Sequence, residues 1–177
     1  MTTTREDVLQ LLWKAENPAS IKDVSEKLGL KARSVNMHLL RLVQSGLVSK
    51  TKDGYYTITD SGKEEIGFPK TDGKLAKKVL GKALPEKAFH FYRGIDQPTG
   101  ISSDSLTDFC EKIKTLDIRS VGFHAARGDF EAWISSLGDI ELAKRLELIR
   151  REGLAGENLR QRLHKALRSR CDELLKK

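Results

Sequence analysis

Between Ser20 and Gly62 the chain reads SIKDVSEKLGLKARSVNMHLLRLVQSGLVSKTKDGYYTITDSG, and charge is sorted along it. From Lys27 to Lys52 there is no Asp or Glu, while Lys27, Lys31, Arg33, Arg41, Lys50 and Lys52 are all cationic. Side chains of these types suit a nucleic acid. Lys and Arg neutralise backbone phosphates. In the major groove Arg pairs bidentately with guanine, Asn pairs with adenine, and an apolar group meets the thymine methyl. Arg33 and Asn36 are therefore candidates for base edges, and Met37 for a thymine methyl. Lys31 and Ser34 are candidates for phosphates, with Arg41 on the same outward side. Lys50, Lys52 and Tyr55 extend the set beyond the helix. The partner this chemistry fits is double-stranded DNA; the plainer reading of each residue is a solvated helix face. His38 reads as a surface or packing residue.

Such a set works only if rigid elements hold it outward. Val8, Leu9, Leu11, Leu12 and Ala15 give a first helix one apolar face after a Thr4–Asp7 capping box, and Asn17-Pro18 stops it. Ser20 and Asp23 cap a second helix carrying Ile21, Val24 and Leu28, which Gly29 ends in the left-handed conformation. The third helix spans Ala32 to Ser45. Val35, Leu39 and Leu42, spaced four and three apart, face inward, which leaves Arg33, Ser34, Asn36, Met37 and Arg41 outside. Strands over Leu47–Lys50 and Tyr55–Ile58 flank Asp53-Gly54, a hairpin-turn pair. Thr59 caps a last short helix over Gly62 to Ile66. The turn, from Thr51 to Gly54, is short, which limits its reach into a minor groove.

Three helices, a hairpin and a short helix follow the order of a winged helix-turn-helix. The runs SIKDVSEKLGL, RSVNMHLLRLVQSGLV and YYTITDSGKE resemble that family over residues 4–66, in the manner of regulators of the MarR and ArsR type. The resemblance implies a DNA-binding transcription regulator with its recognition helix, Ala32–Ser45, in the major groove. It also implies a homodimer, because one module covers too few base pairs for specificity.

Residues 68–87 (FPKTDGKLAKKVLGKALPEK) are lysine-rich and interrupted by Gly and Pro, so they read as a linker between a domain over 1–67 and another over 88–177. Leu75, Val79 and Leu80 could still form one or two packed helical turns. In the second domain, Phe89–Tyr92 and Val121–Ala125 alternate as strands, with a loop over Gly94–Ser103. Four helices are expected: one through Leu106, Phe109, Ile113 and Leu116; one from an Asp129 cap through Phe130, Trp133 and Ile134; one from Gly138-Asp139 through Leu142, Leu146 and Ile149; and one through Leu159, Leu163, Leu167, Cys171 and Leu174. The fold class is α+β and mostly helical, a winged helix followed by a two-stranded, four-helix domain. The final leucine stripe either packs on its own domain or pairs with a second copy. The run from Thr99 to Asp139, above all FH-x-x-RGDFE-x-W, resembles an uncharacterised domain of mainly archaeal proteins, over residues 88–175. That resemblance implies an architecture and no reaction.

If both strands share a sheet, His90, Tyr92, Gly122 and His124 fall on the face opposite Phe89, Phe91, Val121 and Phe123. Arg127 lies just beyond. His90, Tyr92, His124 and Arg127 are thus candidates for holding a small anionic effector or for acid–base work. The alternative makes Asp129 a helix cap, Arg127–Glu131 a surface ion pair and His124 a hydrogen-bonded core residue under a covering helix.

The 177 residues carry 38% hydrophobic and 32% charged side chains, and a net charge of +7. The excess is uneven. Residues 1–68 hold ten Lys/Arg against nine Asp/Glu, while residues 69–88 hold six Lys against two acids. The first domain is polarised rather than basic, which keeps a protein-interaction module as an alternative to DNA binding. No apolar run is long enough for a membrane span and no secretory pattern opens the chain, so a cytoplasmic protein without a membrane partner is expected. Cys110 and Cys171, the two cysteines, show no metal-ligand spacing, and Cys110 reads as inert core. No phosphate loop, nucleophile elbow or paired carboxylates appear. Neither cofactor, metal nor enzymatic activity is expected.

Overall fold

A computed structural model describes residues 5–177 and divides the chain into two compact units, Met1–Lys70 and Thr71–Lys177. In the first unit α1 (Arg5–Lys14), α2 (Ile21–Leu28) and α3 (Ala32–Gln44) precede an antiparallel hairpin of β1 (Val48–Lys50) and β2 (Tyr56–Ile58), then α4 (Asp60–Glu65). The capping box at α2 is present: Ser20 Oγ accepts from Asp23 N–H at 3.1 Å, and Asp23 Oδ2 accepts from Ser20 N–H at 2.7 Å. Gly29 ends α2 at φ 65°. The Thr4–Asp7 capping box falls partly outside the described residues.

Val8, Leu9, Leu12, Ala19, Val24, Val35, Leu39, Leu42, Leu47, Val48 and Tyr56 form the core of this unit. Ala19 forms an isolated antiparallel bridge to β2, exchanging backbone hydrogen bonds with Tyr56 at 2.9 and 2.8 Å. This clamps the segment before α2 to the wing. Thr59 caps α4 through Gly62 N–H (3.1 Å), and its hydroxyl donates to Gly46 O at 2.8 Å. Gly62 sits where α4 packs against the base of the hairpin: a Cβ there would lie 2.2 Å from Leu47 O and 2.6 Å from Ile58 Cγ1. Only glycine lets the backbones approach so closely.

The second unit begins earlier than the sequence reading places it. Phe68 stays with the first unit, its ring 4.7 Å from that of Trp13. The remainder of the expected linker is ordered: α5 (Gly73–Leu80) is capped by Asp72 and buries Ala76 and Val79 in the second core. A 3-10 turn, Pro85–Lys87, leads into β3 (Phe89–Tyr92). The second strand is not Val121–Ala125 but β4 (Pro98–Ser103), antiparallel to β3 and inside the expected loop, with a bulge between His90 and Tyr92. Residues 118–127 instead form α7 (Ile118–Arg127), after α6 (Leu106–Ile113). Then come α8 (Asp129–Leu137), α9 (Ile140–Arg151) and α10 (Gly156–Leu174). Among the described residues this unit has two strands as expected, but six α-helices rather than four, because α5 and α7 are added.

The leucine stripe of α10 is consumed within its own unit. Leu159, Leu163, Leu167, Cys171 and Leu174 are all buried in the core formed with α5 to α9. On the same helix Arg170, 5% exposed, enters a buried polar knot. Its guanidinium donates to both Asp139 carboxylate oxygens (2.7 and 3.0 Å), to Glu141 (2.9 Å) and to Glu173 (2.8 Å). Burial opposes the charge, but the bond to and charge of Asp139 outweigh it, and the guanidinium is held more firmly protonated than usual. Asp139 also caps α9 through Leu142 N–H at 3.0 Å. No helix among the described residues is long and apolar enough to cross a membrane.

Gly62→Ala should destabilise the first unit by about 1–3 kcal/mol, the usual result of forcing an atom into a filled site. Arg170→Met should destabilise the second unit by about 3–5 kcal/mol, because it strands buried carboxylates. Thermal or urea unfolding of each variant checks both.

Candidate nucleic-acid interface

The rotation of α3 is fixed by Val35, Leu39 and Leu42, all buried against the other helices. The opposite side is solvent-facing. Lys31, Arg33, Ser34, Met37 and Arg41 are exposed; Asn36 is half-buried on the flank, and His38 is likewise half-buried. Leu40, absent from the expected set, is 40% exposed beside Met37 at 48%. Its signal was in the sequence: it lies three residues from Met37 and outside the 35–39–42 stripe.

The wing holds its tip tightly. Thr51 N–H donates to Tyr55 O (2.8 Å), Gly54 N–H to Thr51 O (3.1 Å) and Tyr55 N–H to Thr51 Oγ1 (3.1 Å), with Gly54 at φ 85°. Lys52 and Tyr55 are exposed on this tip. Lys50 is exposed at the end of β1, its ammonium 5.5 Å from the centre of the Tyr56 ring. Among the described residues Lys31, Arg33, Arg41, Lys50 and Lys52 make no ion pair, whereas Arg5 pairs with Glu65 and Lys22 with Glu26. The third helix starts without a side-chain cap at Lys31 and with no acid in its first turn, so its amide dipoles also face outward unneutralised.

The set expected in the second unit does converge, on a different scaffold. His90, Tyr92, His124 and Arg127 line one open depression of about 520 Å³ between the β3–β4 loop and α7. His124 reaches it from a helix rather than a strand, and only 4% of it is exposed. Tyr92 N–H donates to His124 Nε2 at 2.8 Å, so that nitrogen carries no proton; Nδ1 therefore bears it and donates to Asp129 Oδ2, also at 2.8 Å. Burial pushes the imidazole below its ordinary pKa of 6.5, against the upward pull of Asp129. Both ring nitrogens are thus engaged in holding β3 to the α7–α8 corner, and neither can shuttle a proton without breaking that corner.

Asp129, expected as a cap, is this corner's hub. It lies at the first turn of α8, where Gly128 at φ 75° ends α7 and starts α8, and it accepts from Arg127 Nε at 3.1 Å as well as from His124. The Arg127–Glu131 pair is replaced by Arg127–Asp129 and by Arg150–Glu131 at 2.8 Å. Arg127, its guanidinium 5.0 Å from the Phe123 ring centre, already has its charge offset, so the depression is not a ready anion site. Cys110 and Cys171 are free thiols buried in the core.

The first unit is a winged helix-turn-helix. Residues 1–49 match a family described as winged helix-turn-helix DNA-binding. Residues 72–168 match the family of unknown function DUF5752, and the chain belongs to that family. No curated protein matches the chain. Among solved structures it is similar to the crystal structure of T. acidophilum IdeR, at 18% identity and a TM-score of 0.35, over 93% of this chain and 55% of that one. The chain thus spans about 55% of that protein's length.

The tautomer of His124 is open to measurement. Long-range ¹H–¹⁵N NMR should show protonated Nδ1 and bare Nε2 at pH 7. Because the folded pKa lies below the unfolded one, the contribution of His124 to stability is complete above about pH 6.5 and declines as pH falls below it. An unfolding series from pH 7.5 to 5 reads this slope, and His124→Phe should flatten it.

Proposed function

We propose that this chain is a sequence-specific duplex-DNA-binding transcription regulator, with α3 in the major groove and the wing along the backbone. The observation that carries the reading is the set of exposed, unpaired cations on α3 and the wing. The arginines of α3 contrast with those of the second unit. In the second unit Arg93, Arg127, Arg150, Arg162 and Arg170 each already face a carboxylate. A cation paired within its own chain must lose that partner before it neutralises a phosphate; those on α3 need not.

The match of residues 1–49 to a DNA-binding family supports the same reading. One recognition helix reads only a few base pairs, so the regulator works as two copies on a two-fold site. The buried leucine stripe of α10 is not the seam between them. The winged-helix scaffold itself would also serve a protein-interaction role, but such a role does not call for an acid-free, unpaired cationic face.

Binding of the full chain to duplex DNA should weaken steeply with salt, with a log–log slope of about −0.9 for each phosphate neutralised. Replacing both Arg33 and Arg41 by Ala should lower affinity at least ~10-fold at moderate salt and reduce that slope by about one for each of the two that meets a phosphate, with unchanged melting. Unaltered affinity in that double variant would contradict the proposal.

A further inference from the structure

The outward line of α3 is not uniformly polar. Positions 33, 37, 40 and 44 are spaced four, three and four apart, and therefore run down one side of the helix. Arg33 and Gln44 occupy its two ends, both exposed. Met37 and Leu40 occupy its middle, 48% and 40% exposed. Ser34 and Arg41 flank the line on one side and Asn36 on the other. An apolar pair at the centre of a cationic face has no partner within the described chain.

The rim decides what covers it. No acid lies between Lys27 and Lys52, and the surrounding Arg33 and Arg41 are unpaired. The occupant must therefore be anionic at its edges and apolar at its centre. Duplex DNA answers this description: phosphates border the major groove, and the apolar group displayed on its floor is the C5-methyl of thymine. A thioether and an isobutyl group cannot read donors or acceptors, but they can bury methyls. Met37 and Leu40 are separated by about 4.5 Å along the helix axis at 1.5 Å per residue. That is close to the ~3.4 Å step between successive nucleotides of a strand.

Resting on the DNA-binding reading above, we infer that Met37 and Leu40 set sequence specificity by packing against the methyl groups of two neighbouring thymines. The half-site then holds two adjacent T·A pairs, with Arg33 at one end of them.

The test uses the full chain. Binding sites are selected from a random duplex library, and thymines in the selected site are replaced one at a time by deoxyuridine, which removes only the methyl. Adjacent T·A pairs should be enriched, and each of the two methyls should be worth about fourfold in affinity, the value of one buried methyl group. Met37→Ala and Leu40→Ala should each stop discriminating thymine from deoxyuridine at one of the two positions while melting normally. Selected sites that lack adjacent T·A pairs, that are indifferent to methyl removal, or whose discrimination survives both variants would overturn this inference and leave DNA binding standing. Failure to enrich any duplex would overturn both.

Discussion

The structure of the first unit depends on the rotation of one helix. Val35, Leu39 and Leu42 bury completely or nearly so, and that burial fixes α3 about its own axis. A rotation by one residue, about 100°, would carry apolar side chains into water and cations toward the core. Every property of the outward face follows from this: which side chains meet solvent, which amides are open, and where the wing stands. The backbone bridge between Ala19 and Tyr56 and the close contact at Gly62 hold the segments around α3. The face is thus organised before any partner arrives, and little ordering entropy remains to oppose binding.

The second unit uses its polar groups in the opposite way. Arg170, Asp139 and Glu141 are buried together, and His124 is fixed between a strand amide and Asp129. These are the kinds of residue that suggest chemistry when read singly. Here each has its bonding capacity taken up by neighbours from other elements, and they specify how helices and hairpin meet. The contrast with α3 is physical: a group whose partners lie in its own chain supports the fold, and one left open at the surface is available to a ligand.

How much of this was legible varies with the range of the forces involved. The winged helix was readable because its signals are local: the Ser20–Asp23 box, Gly29, Asp53-Gly54 and the Thr59 cap each act within a few residues. At Val121–Ala125 a local signal points the wrong way. Alternation over five residues resembles a strand, yet Val121, His124 and Ala125 equally share one helix face, and Asp117 was the available cap. β4 was hidden by Pro98 and Gly100, which read as loop residues. Proline, however, is tolerated as the first residue of a strand, and Gly100 takes φ 75° within it. Arg170 falls in the spacing of the α10 leucine stripe, a sign that an acid must be near, but no sequence pattern points to Asp139, 31 residues away.

The candidate face was legible in outline and incomplete in detail. Arg33 and Arg41 are where the helical spacing puts them, whereas nothing in residue type sets Leu40 apart from the buried leucines of the same helix; only its position outside the 35–39–42 stripe does. Titrating the isotope-labelled full chain with duplex DNA and following backbone amide shifts shows which surface meets the duplex. With α3 in the groove, the largest changes should fall on Lys31 to Arg41 and on the wing tip from Lys50 to Tyr55. Changes confined to the second unit, or none as duplex is added at low salt, would contradict that placement.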